Sequence, residues 1–157
     1  MNAPTLIVGL GGKGSEIVLR VSKMVNEEQR QKIGFVVFDT DVNELRTIRM
    51  NNPHVHTIQT SMKMTVGEYL EIDKHAKDSW FPVNAVLNNK MLTEGAGQVR
   101  AISRLAFDTA IRNGKLEELH KAIGELYELE GEDFSQALRV IIVSSLAGGT
   151  GSGLVLP

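Results

Sequence analysis

The chain has 157 residues, 42% hydrophobic and 23% charged, with 17 Lys+Arg against 19 Asp+Glu for a formal charge of -2. That is enough chain for one domain with a real core, and the balance of charge argues against nucleic acid or an anionic membrane as partner. The absence of cysteine excludes disulfides, thiolate zinc sites and cysteine nucleophiles, while no apolar run nears the ~20 residues that span a bilayer and no signal-peptide layout opens the chain, so the expected location is the cytoplasm.

In chain order, Leu6-Ile7-Val8 is a short apolar run ending in glycines, the pattern of a buried parallel strand entering a tight loop. Ile17, Val18, Val21, Met24 and Val25 then recur at helical spacing as far as the charged stretch Glu27–Arg30. Phe35–Phe38 is a second buried strand, closed by Asp39-Thr40-Asp41. A short helix is predicted over Val42–Met50, stopped by Asn51-Asn52-Pro53, and a third strand, at an edge, over His54–Thr60. Residues 61–94 give only short elements or a packed loop around Tyr69-Leu70 and Trp80-Phe81.

Helical periodicity returns with Val99, Ile102, Leu105, Ala106 and Ala110, breaks at Asn113-Gly114, and resumes through Leu116, Leu119, Ile123, Leu126 and Tyr127. Val140–Val143 is a further apolar strand, running into Ala147–Gly153. Strands alternating with helices, and apolar without interruption, predict an α/β fold with a mostly parallel sheet between two helical layers. Ligands of such sheets bind at the carboxyl ends of the strands, where both glycine clusters fall.

Gly9-Leu10-Gly11-Gly12-Lys13-Gly14 satisfies G-x-G-x-x-G between a strand and a helix. Glycines there let the backbone approach a phosphate, and the helix N-terminus supplies unpaired N–H groups. With Asp39 at the end of the next strand the pattern also fits a Rossmann dinucleotide site, where such an acid holds a ribose hydroxyl. It is not a Walker A loop, because Ser15-Glu16 stands where Lys-Ser/Thr is required. The second cluster, Ala147-Gly148-Gly149-Thr150-Gly151-Ser152-Gly153, adds two hydroxyls after another buried strand. A dehydrogenase needs one pyrophosphate loop, whereas a nucleoside triphosphate can occupy two.

That second cluster resembles the tubulin signature GGGTGSG, differing by Ala147 at its first position, and almost as closely the GGGTGTG of FtsZ. The run Gly9–Arg20 resembles the first phosphate loop and helix of FtsZ, GVGGAGGNAVNR, and Phe35–Leu45 resembles its second strand and loop, FIAINTDAQAL. The whole chain follows the order of the tubulin/FtsZ superfamily, with residues 61–92 matching least, and looks more like a divergent bacterial tubulin-like protein than tubulin or FtsZ proper.

The resemblance implies a Rossmann-like three-layer αβα fold, with residues 1–157 forming the phosphate-binding half of a nucleotide-binding domain that ends just after the signature loop. It implies a self-assembling cytoskeletal GTPase in the whole protein, with GTP and Mg²⁺ as cofactors and guanine nucleotide and further copies of itself as partners. The nucleotide-binding residues it implies are Gly11, Gly12, Lys13 and Gly14, then Thr40 and Asp41, then Gly95, Ala96 and Gly97, and finally Ala147, Gly148, Gly149, Thr150, Gly151 and Ser152. The family's base-binding central helix and hydrolytic acidic loop follow the signature loop, so no catalytic residue and no metal ligand is assigned here. This chain alone is expected to hydrolyse little or no GTP. A dinucleotide-dependent oxidoreductase and a non-hydrolysing tubulin-like scaffold are the alternatives.

Other features carry bland and sharper readings. Glu16 stands where FtsZ has an asparagine close to the nucleoside, which leaves base preference open, and Asp39 replaces a second asparagine. Lys13 is a phosphate partner or a solvated loop lysine; Asp41 orients a Mg²⁺-bound water or caps the helix after it. Arg100, one helical turn before Arg104, assists a γ-phosphate or takes part in surface salt bridging. His54 and His56 are expected to share an exposed strand face without a third metal ligand, and Trp80-Phe81-Pro82 to form a partner surface or, as the ordinary explanation, a lid packed over the sheet.

Overall fold

The computed structural model describes residues 3–82, 84–93, 99–130 and 137–155. Four strands, β1 (Thr5–Leu10), β2 (Ile33–Asp39), β3 (Val55–Gln59) and β4 (Arg139–Ser144), form one sheet in the order β3-β2-β1-β4. All three pairings are parallel, with Gly9 opposite Val37 on one side and Val143 on the other. The chain steps outward from β1 to β2 to β3 and then returns to the far side of β1, so the strand order reverses between β1 and β4. This is the doubly wound arrangement, and its crevice opens at that reversal.

Helix α1 (Gly11–Met24) leaves β1 without an intervening loop, and the single-turn α2 (Glu27–Arg30) follows it. With α3 (Val42–Asn51), α1 covers one face of the sheet: Val18, Phe35, Val37, Leu45, Ile48 and Val55 form one buried cluster. Helix α8 (Glu117–Glu130) covers the other face, where Ala122 packs with Leu6, Val8, Leu10, Val36, Phe38 and Ile58. The alternation of Val36 and Phe38 with Phe35 and Val37 divides β2 between the two layers, as the two-residue period of a strand requires. The αβα sandwich and the parallel sheet expected from the sequence are both present.

Residues 61–92 resolve into three short helices, α4 (Val66–Ile72), α5 (Lys74–Ser79) and α6 (Ala85–Asn88). They form a separate core against α7 (Arg100–Arg112), built from Val66, Tyr69, Leu70, Phe81, Leu92, Ile102 and Leu105. The expectation of a lid over the sheet is corrected here. Phe81 is buried in this helical cluster, and Trp80 stacks edge-on with it beneath the Arg104 guanidinium, 4.5 Å above the indole ring.

Strand β4 departs from its sequence pattern. Four apolar residues in a row read as a strand covered on both faces, yet Val140, Ile141 and Ile142 are 50%, 42% and 60% exposed. The reason is position: β4 ends the sheet, and only its β1 side is paired among the described residues.

Candidate functional site

The crevice is made by two glycine segments that touch. Gly11, with φ of 72°, turns the chain from β1 into α1. A Cβ there would stand 2.7 Å from the Gly151 nitrogen, and one on Gly151 would stand 2.6 Å from the Leu10 carbonyl. Neither position admits a side chain, because each loop's backbone fills the space the other's would take. Gly151 belongs to the short helix α9 (Thr150–Val155), which follows β4 through Ser145–Gly149.

The helix N-termini differ in a way that matters. Asn26, Asp41, Thr65, Asp73 and Asn84 each accept a backbone N–H at the start of α2, α3, α4, α5 and α6. Leu10, at the start of α1, provides no side-chain cap. The first-turn N–H groups of α1 therefore face the crevice without a side-chain acceptor, at the positive end of a fourteen-residue helix.

The β2–α3 turn forms the third wall. Asp39 is 4% exposed and its Oδ1 accepts from the backbone nitrogens of Thr40 (2.7 Å) and Asp41 (3.1 Å). Burial pushes this carboxyl above its ordinary range, against the pull of those two N–H groups. A buried acid already committed to its own turn does not present that oxygen to a ribose hydroxyl. Thr40, fully buried, brings its Oγ1 to 3.2 Å from Thr150 Oγ1 and so ties this turn to the second glycine segment.

Asp41 caps α3, its Oδ1 accepting from Asn43 and Glu44 nitrogens at 2.8 and 3.1 Å. Glu44 reaches back toward Gly12, where a Cβ would lie 3.5 Å from its Oε1. Burial raises the Glu44 carboxyl, and the charges of Asp39 and Asp41 raise it further. Sequence reading passed over Glu44; an acid three residues after the N-cap Asp41 is the signal that could have marked it.

Lys13 is not a free cation in this arrangement. Its Nζ lies 2.9 Å from Glu16 Oε2, and Arg20 binds the other Glu16 oxygen at 2.7 Å. The hydrogen bond and charge of Lys13, then the charge of Arg20, hold the Glu16 carboxyl below its usual value. Ser152 is fully buried and its hydroxyl donates to the Gly148 carbonyl, so it shapes the second segment from within. Arg100, at the start of α7, donates to the Leu146 carbonyl at 2.9 Å and steadies the same segment from outside, not through a surface ion pair. Ala147, Gly148 and Gly149 complete the segment, with the Ala147 nitrogen donating to Ser145 Oγ at 3.3 Å. Gly95, Ala96 and Gly97 lie outside the described residues.

His54 and His56 do not share a face. His54 packs its ring edge-on against Phe35 on the α3 side, whereas His56 Nε2 lies 3.0 Å from Glu125 Oε2 of α8 on the other. His54 precedes β3 and escapes its alternation. Among the described residues, no group of three or more His, Asp or Glu side chains is arranged to hold a metal ion.

Fold and crevice together define a doubly wound α/β protein with paired glycine segments at the strand-order reversal. A family model described as tubulin-like matches residues 6–157, and the chain belongs to that tubulin-like family. No curated protein matches the chain by sequence. No described helix is long and apolar enough to cross a membrane.

Proposed function

We propose that this chain binds the phosphates of a nucleoside triphosphate, GTP, between its two glycine segments, as the phosphate-binding half of a nucleotide domain that self-assembles in the whole protein. The observation that carries this is the uncapped N-terminus of α1, held against Gly151 by contact between backbones. Unpaired N–H groups at a helix N-terminus bind anions, and the second segment offers a further phosphate the same close approach. The dinucleotide reading loses ground because it needs Asp39, whose Oδ1 is bound inward.

Mg²⁺ would enter with the phosphates rather than on a protein ligand set, and Asp41 is the residue placed to orient one of its waters. Both cap bonds of Asp41 use Oδ1, leaving Oδ2 to hold a water of that ion. No residue here is assigned to hydrolysis.

The test is titration of the chain with a fluorescent GTP analogue in the presence of Mg²⁺. Saturable binding that GTP displaces and NADH does not is the expected result. Arg100→Ala, which removes the bond to the Leu146 carbonyl, should weaken it roughly three- to tenfold, the scale of a charge-assisted hydrogen bond at a solvated site. Displacement by NADH alone would overturn the proposal.

A further inference from the structure

At the amino ends of the strands, far from the glycine segments, lies a cleft of about 550 Å³. That volume suits a small-molecule ligand. On its α3 side the charged lining is cationic, Arg30 from the end of α2 and Arg49 from α3, joined by the imidazole of His54 from the turn before β3, over a floor of Phe35, Pro53 and Val55. The acids of the cleft, Glu118 and Glu125, come from α8 across the sheet, where Lys121 accompanies them and His56 pairs with Glu125.

Two nitrogens on the cationic side lack a partner. Arg30 Nε and His54 Nε2 are both shielded from solvent and form no hydrogen bond. Arg30 is held by one bond, from its Nη2 to the Ser22 carbonyl, and Arg49 by bonds to Thr57 Oγ1 at 2.8 and 3.0 Å. Both guanidiniums are thus fixed at their places, and an N–H donor with neither water nor protein acceptor is a costly thing to bury. The ring of His54, edge-on to Phe35 at 6.3 Å, is fixed as well. Burial and the Arg30 charge hold its pKa below the ordinary histidine value.

We infer that this cleft is a second ligand site, independent of the nucleotide crevice, which takes a phosphorylated small molecule by its phosphate group between Arg30, Arg49 and His54. Phosphate is preferred to carboxylate on charge: two guanidiniums and an imidazole, with both acids that line the cleft on its α8 side, are best matched by a dianion with three acceptor oxygens. A bound dianion balances the Arg30 and Arg49 charges and favours protonation of the His54 ring beside it.

The ring proton signals of His54 and His56 in the full chain report on this directly, with inorganic phosphate as the probe and acetate as control. Phosphate at saturation should raise the His54 pKa by about one unit, a tenfold preference for binding the imidazolium form. His56, engaged with Glu125 on the opposite face, should not move. Arg49→Gln and, separately, Arg30→Gln should abolish the His54 response, and because Arg49 is exposed at the surface the first keeps the fold testable. The proposal fails if His54 titrates identically with and without phosphate, or if acetate shifts it as far. It fails equally if His56 follows His54 or if the response survives in both variants.

Discussion

Asp39 shows how one residue can look functional and be architectural. An acid at the end of the second strand suits a ribose hydroxyl, but here its Oδ1 closes the turn that carries Thr40 and Asp41. Burial raises its folded pKa, so the fold favours the protonated acid. The resulting stabilisation is present at low pH and is lost as pH rises through the ordinary carboxyl range to the raised value. Asparagine keeps an Oδ1 acceptor for both backbone nitrogens and carries no charge. Asp39→Asn should therefore raise Tm at neutral pH, by an amount that shrinks on acidification; thermal melts at a series of pH values check this, and a Tm lowered at neutral pH contradicts it. Glu44 should titrate lower in that variant, since Asp39 is one of the charges raising it. The glycines of the crevice were legible because their spacing after apolar strands has few other uses. The burial of Asp39 was not, because nothing local distinguishes an acid facing a ligand from one facing its own backbone.

Helices α4 to α6 are the elements that periodicity missed. Each is too short to show a full amphipathic stripe, and their core is completed by α7, distant in sequence. Their starts were nonetheless written in the chain: Thr65 and Glu68 form a reciprocal capping box, and Asp73 and Asn84 cap α5 and α6. By contrast β1, β2, α7 and α8 were visible because their apolar residues recur over whole elements. The short helices are tied to α7 through Tyr69, whose hydroxyl donates to Asp108 Oδ2 at 2.9 Å. Arg112 lies 3.0 Å from Asp73 and 3.1 Å from Asp108, joining the same network. Tyr69→Phe should cost about 1–2 kcal/mol, the net worth of one buried hydrogen bond to a charged acceptor, measured by denaturant unfolding. Burial pushes the Tyr69 phenol up to about 12. In an absorbance titration the ionisation near that pH should vanish in the variant, and its survival would assign it elsewhere.

At the scale of the molecule, the two edges of the sheet differ. β3 is short and interleaves His56, Thr57 and Gln59 with its apolar residues, whereas β4 exposes Val140, Ile141 and Ile142 beside an apolar groove lined by Leu6, Val8, Phe38, Phe107 and Leu154. An unpaired apolar edge of this kind promotes association. Ile142→Lys should lower the apparent mass of the chain in light scattering while leaving Tm nearly unchanged, because the side chain it replaces is 60% exposed. An unaltered mass would show that β4 does not mediate association. The contact between Gly11 and Gly151 has a consequence in time as well as in space. It joins segments from opposite ends of the sequence, so the crevice does not exist until β4 has docked beside β1. Pairing of such distant segments is slow, since the entropy of closing the loop is spent before any contact rewards it. On the proposed reading, a nucleotide spanning both segments would bind only the sheet with β4 docked, and would stabilise that state over any in which β4 is detached.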